Sequence, residues 1–154
     1  MKLGEALAHL KKEKSNLARL ISLRKENVYI EKGKTSPFNP IQLGKEINNK
    51  LDNIRKLKIS IQGTNLKTDL IGYKISIAEG ILLIGEIRSK IAQLSSLFRE
   101  KDRYSFKLRS KDEIEEISQL DEAEIEKERE SLEAEKVKLD NAIQITNWKV
   151  ELVE

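Results

Sequence analysis

The chain has 154 residues, of which 36% are charged and 38% hydrophobic, and a net charge of +3. That length suits one domain of ordinary size, and apolar residues at such regular spacing exclude a disordered chain. The lack of any cysteine excludes disulfides, thiolate catalysis, zinc–thiolate sites and iron–sulfur clusters together.

Two prolines and seven glycines are few for a sandwich or barrel. The fold expected is therefore all-α: an elongated antiparallel helical bundle of about four helices in a single domain, with helices near 2–28, 40–61, 70–100 and 121–151. In the first helix, Leu3, Leu7, Leu10, Lys14, Leu17, Ile21, Arg24 and Val28 are spaced by fours and threes, a heptad seam with Lys14 and Arg24 as its polar members. Lys14 is expected to snorkel and Arg24 to pair with a carboxylate on a neighbouring helix.

Tyr29 to Phe38, with Gly33 and Ser36-Pro37, reads as a surface loop. Asn39 is then a good N-cap and Pro40 suits the first helical position. The second helix turns Leu43, Ile47, Leu51, Ile54, Leu57 and Ile61 inward and leaves Asn48, Asn49 and Asn53 in solvent. Gln62-Gly63-Thr64-Asn65 is expected to end it, with Gly63 as a left-handed C-cap.

The third helix is the most apolar, and residues 81–84 are apolar around most of its circumference, which implies central burial or a subunit interface. Glu79, Glu86 and Arg88 beside this belt are expected to form ion pairs. The pattern then changes to alternation at Tyr104-Ser105-Phe106-Lys107-Leu108-Arg109, and one short β-hairpin is expected near 104–117. Asp121 is the N-cap of the last helix. That helix carries two apolar stripes: Leu132, Leu139, Ile143 and Val150, and then Ile145, Trp148 and Leu152. Two stripes suggest two partner surfaces, the chain's own core and a neighbouring subunit, and Asn147 lies between them where an amide can be buried.

Charge is unevenly laid out. Residues 1–60 carry +8, residues 61–120 carry +1 and residues 121–154 carry −6. The two ends are expected to compensate each other within or between subunits. Nucleic acid is not an expected partner, because the basic first helix has no aromatic residue before Tyr29. Nor is a membrane, since an intramolecular seam accounts for the same leucines. The opening residues lack the apolar stretch of a signal peptide, and no run approaches a spanning length, so a cytoplasmic location is expected.

No catalytic chemistry is legible. His9 is the lone histidine, and no G-x-S-x-G, P-loop, dinucleotide, EF-hand or H-E-x-x-H motif occurs. The absence of Glu-x-x-His argues against a di-iron carboxylate site. No enzyme activity, cofactor or metal centre is expected, although divalent ions on Glu79, Glu86 or the acidic last helix would leave no spacing signature.

Several segments resemble the septicolysin-like family of small bacterial proteins. They are Met1-Lys2-Leu3 with Glu5-Ala6-Leu7, Arg24 and Asn27 ahead of the Gly33 and Pro37 loop, Ile61 with Thr64 and Asn65, and Leu139-Asp140 with Ile143-Gln144 and Asn147-Trp148. The last segment is the most specific, and the resemblance spans nearly the whole chain. It implies an elongated helical bundle assembled into a homo-oligomer, a hexameric ring, with no established reaction. The family name adds membrane-active pore formation as an alternative. The chain departs from the family pattern after Glu79, where Ile84-Gly85 replaces an Arg-Asp pair, and around Tyr104 to Lys111, which reads as an insertion.

The leading expectation is a self-assembling scaffold whose third helix and Trp148 end form the association surface. A small-molecule or metal-binding module is the other alternative, built on Arg24, Asn27, Asn65, Glu79, Asn147 and Trp148; the competing use of these residues is capping and ion pairing.

Overall fold

Each helix begins at a side chain that takes up otherwise unpaired backbone amides. In the computed structural model, which describes residues 1–98 and 114–153, the helices are α1 (Leu3–Glu26), α2 (Pro40–Lys67), α3 (Ile77–Ser95) and α4 (Glu122–Lys149). The Glu5 carboxylate reaches back to the Lys2 amide at 2.8 Å, and Asn39 Oδ1 accepts from Ile41 N at 2.9 Å with Pro40 opening α2. Ser76 Oγ accepts from Glu79 N at 3.1 Å, and Asp121 Oδ1 accepts from Ala123 N at 2.9 Å. Asn39, Pro40 and Asp121 thus start their helices as their sequence positions imply, and the fold is all-α. The expected hairpin near 104–117 falls largely outside the described residues.

The chain forms two compact units: Met1–Glu79 with Ala142–Glu154, and Gly80–Asn141. In the first unit α1 and α2 run antiparallel. Leu3 and Ala6 cluster with Ile61 and Ile77, with Leu10, Leu57 and Leu152 packed against them. Towards the other end of α1, Leu20 clusters with Leu43 and Ile47. Between these clusters Lys50 Nζ meets Glu13 Oε2 at 2.8 Å. The seam of α1 is therefore Leu3, Ala6, Leu10, Glu13, Leu17 and Leu20, and that of α2 is Leu43, Ile47, Lys50, Ile54, Leu57, Ile61 and Thr64. Both alternate spacings of three and four.

This corrects the seam read from sequence. Leu7, Lys14, Ile21 and Val28 are exposed, and so is Leu51. Two registers one residue apart share Leu3, Leu10 and Leu17, and the structure takes the one that pairs a carboxylate with an ammonium across the seam. The side chains of Lys50 and Glu13 are only 26% and 13% accessible, so leaving either unpaired there would be costly.

The second helix also departs from expectation, running through Gly63 to Lys67. A mid-helix glycine costs about 1 kcal/mol against alanine, whereas burying Ile61 alone is worth about 1.5–3 kcal/mol, so packing on both sides of Gly63 outweighs it. The break comes later, in a tight turn where Tyr73 N donates to Leu70 O at 2.9 Å and Gly72 takes the positive φ of 83° that its third position needs. The helix expected from residue 70 accordingly starts at Ile77.

Two fully buried threonines tie this turn and the carboxyl-terminal segment to the helices. Thr146 Oγ1 donates to Ala142 O at 2.7 Å and accepts from Ile71 N at 3.1 Å. Thr64 Oγ1 donates to Ser60 O at 2.8 Å and accepts from Val153 N at 2.9 Å. Next to them the chain ends form a short antiparallel bridge: Leu3 N donates to Val150 O at 2.9 Å and Leu152 N to Met1 O at 2.8 Å. Glu151 completes it, with Oε1 2.6 Å from Lys2 Nζ and Oε2 3.0 Å from the amino-terminal ammonium.

In the second unit Ile84, Ile87 and Leu139 are buried. Arg129 pairs along its own helix with Glu126 and with Glu133, and Lys136 lies 3.3 Å from Asp140. Such pairs one turn apart support a helix whose sequence is mostly charged.

Thr146→Val keeps the shape of the side chain but leaves the Ile71 amide without its acceptor. A loss of about 1–3 kcal/mol in urea unfolding is expected. A pH dependence follows from three carboxylates. Glu13 is held below the ordinary glutamate range chiefly by the hydrogen bond from Lys50, against its partial burial. Lys2 and the amino-terminal ammonium do the same for Glu151, and Arg129 for Glu126. The unfolded chain takes up these protons first, so their stabilisation is complete above the usual glutamate value of about 4.3 and is lost as pH falls below it. The urea midpoint should therefore fall below about pH 4, and Glu13→Gln should be less stable at neutral pH with a shallower acid dependence.

Candidate functional site

The six polar residues singled out by sequence do not converge. Arg24 and Asn27 sit at the loop end of the α1–α2 hairpin, whereas Trp148 packs on Gly4 at the other end of α1. Twenty residues of helix separate Gly4 from Arg24, about 30 Å at 1.5 Å per residue.

At the loop end the polar groups are spent on structure. Arg24 Nε donates to Pro40 O at 3.0 Å, and its guanidinium lies where a Cβ on the buried Gly44 would come within 3.0 Å. Arg24 thus bonds a carbonyl of the neighbouring helix rather than the carboxylate expected. Asn27 caps α1, its Nδ2 donating to Leu23 O at 2.8 Å and its Oδ1 accepting from Ser36 Oγ at 3.0 Å.

Of the remaining candidates, Glu79 is exposed in the first turn of α3, with its amide on the Ser76 hydroxyl. Asn65 is half-buried in the last turn of α2, and Asn147 is 7% exposed beside the buried Thr146. The indole of Trp148 crosses Gly4 closely enough that a Cβ there would stand 2.9–3.0 Å from three of its ring atoms. Yet Trp148 is 58% exposed and its neighbour on the same face, Ile145, is 49% exposed. Leu139 and Ile143 of the first stripe are buried, while of the second Ile145 and Trp148 face solvent and Leu152 packs on the core.

Sequence reasoning missed the distant partners of Thr64 and Thr146, the two residues that do the most polar work here. Their partners are 89 and 75 residues away, which no local pattern reveals. It also missed an open, amide-rich groove between α1 and α2, where Asn16, Asn49 and Asn53 flank the Glu13–Lys50 pair. A second groove, within Gly80–Asn141, sets Ile91 and Val137 beside Arg88, Glu133 and Lys136. Among the described residues, no three His, Asp or Glu side chains gather as a metal site, and no helix is long and apolar enough to cross a membrane.

An all-α chain with capped helices, a heptad-paired first hairpin and solvent-facing apolar side chains is the class this geometry defines. The chain belongs to the family of unknown function DUF6847, whose profile matches residues 8–152. It is similar over 99% of its length, and 99% of the other chain, to the crystal structure of a functionally unknown conserved protein from Corynebacterium diphtheriae, with 26% identity and a TM-score of 0.79. No curated protein matches it significantly.

The two glycine contacts predict opposite outcomes for the same substitution. Gly4→Ala pushes a methyl into a rigid ring, an overpacking cost of about 1–3 kcal/mol against a helix gain of about 1 kcal/mol. The variant should be less stable and shift the emission of the single tryptophan. Gly44→Ala meets only the end of a flexible guanidinium and should be neutral or slightly stabilising, both compared by chemical unfolding.

Proposed function

We propose that this protein is a cytoplasmic helical scaffold that assembles into a homo-oligomer, with the six subunits that the septicolysin-like resemblance implies and no catalytic step of its own. The observation that carries the reading is apolar surface left in water on two helices: Ile81 and Leu82 on α3, the latter 69% exposed, and Ile145 with Trp148 on α4. Apolar side chains grouped in this way mark association surfaces more often than they persist uncovered. The charge layout supports it, because a chain carrying +8 over residues 1–60 and −6 over residues 121–154 is complementary to a second copy of itself.

Light scattering after size exclusion, at low and high salt, tests the reading. One discrete multimer is expected at low salt, near six times the 17.7 kDa chain mass. Leu82→Glu should shift it to smaller species with unchanged helicity. A monomer at tens of micromolar would overturn the reading.

A further inference from the structure

The loop end of the α1–α2 hairpin exposes five apolar side chains in a short stretch: Val28, Tyr29, Ile30, Phe38 and Ile41, with Tyr29 91% accessible. Lysines flank them along the chain. Residues 25–45 hold Lys25, Lys32, Lys34 and Lys45 against two glutamates, one of which, Glu31, is taken up by Lys34 at 2.5 Å. The asparagine, serine and arginine contacts that shape this tip are all internal and Lys34 is paired with Glu31, so the exposed apolar groups with Lys25, Lys32 and Lys45 are what the tip presents outward.

The segment leading into α4 has the converse chemistry. Ile114, Ile117 and Leu120 recur every third residue and are exposed, the first two at 91% and 83%. Between and after them stand carboxylates: residues 114–124 hold five acidic groups and no lysine or arginine. Both stretches expose apolar side chains, and their net charges are opposite in sign.

We propose that the hairpin tip of one copy seats on residues 114–124 of a second copy, apolar side chains against apolar side chains and lysines against carboxylates. Opposite charges around an apolar centre steer such an encounter and fix its register. The contact joins two different patches, so it is heterologous, and repetition either closes a ring or extends a filament. The inference rests on the self-assembly reading and deepens it by naming an interface.

The test uses the full chain in four forms: wild type, Lys32→Glu with Lys45→Glu, Glu115→Lys with Glu124→Lys, and all four substitutions together. Each charge-reversed pair should weaken association at least tenfold by light scattering at low salt, and the fourfold variant should recover it. Helicity by circular dichroism checks that each form is folded. Zero-length carbodiimide cross-linking of mixed light and heavy wild-type chains is the second measurement, and links from Lys32 or Lys45 of one label to Glu115 or Glu124 of the other are expected. A monomeric wild type would remove the assembly reading and this interface with it. A wild-type multimer whose mass both reversed pairs retain, a fourfold variant that fails to recover, or links within one label alone would overturn the interface and leave assembly standing. Tip variants that lose binding to anionic vesicles with no change in mass would overturn it as well.

Discussion

An ammonium and a carboxylate facing each other across an otherwise apolar seam set the register of the first hairpin, and much else follows from that register. Sliding either helix by one residue would bring Lys14 or Leu51 to the seam and strand Glu13 or Lys50 without a partner. The pair is only partly exposed, so leaving either charge without its partner is unfavourable, and the ion pair favours one among the alignments that the apolar residues alone would tolerate. With Glu13 against Lys50, Leu3 and Ala6 necessarily meet Ile61, and Leu20 meets Leu43 and Ile47. The same alignment brings Arg24 over Gly44 and within reach of Pro40.

The opposite end is held by a different device. Thr64 and Thr146 each satisfy a carbonyl of their own helix and a distant amide with one hydroxyl. Serine or threonine inside a helix usually competes with the backbone for hydrogen bonds. Here that tendency is turned outward, so that a turn and a terminal segment are anchored at fixed points. The Glu151 pairs add charge to the same end, on the surface, where ion pairs contribute modestly.

How much was legible depended on whether the deciding partner was near in sequence. The caps at Asn39 and Asp121, the inward run of α2 apart from Leu51 and the burial of Asn147 between two stripes follow from residues within a turn or two. The α1 register did not, because a seam of period 3.5 on a helix of period 3.6 admits two readings through Leu3, Leu10 and Leu17, and Lys50 decides between them from another helix. Gly63 misled for the same reason: its local preference for a break is weaker than the burial of Ile61 and Thr64 on either side. Of the candidate polar residues, Arg24 and Asn27 do meet one end of the hairpin, but a straight helix carries Gly4 and Trp148 far from them. Sequence alone could name those residues and could not bring them together.

The first compact unit is discontinuous, taking residues from both ends of the chain, with Leu152 in the same cluster as Leu3 and Val153 bonded to Thr64. On a ribosome, α1 and α2 emerge and pair long before the strap that closes them exists. All of residues 80–141 must be made first, a delay of several seconds at the usual roughly 5–20 residues per second. Until then the nascent hairpin lacks its last fastening. Synthesis order thus works as a timer: the closed end, with Trp148 seated on Gly4, is completed only after Trp148 itself has emerged, so neighbouring nascent chains cannot join through it before then.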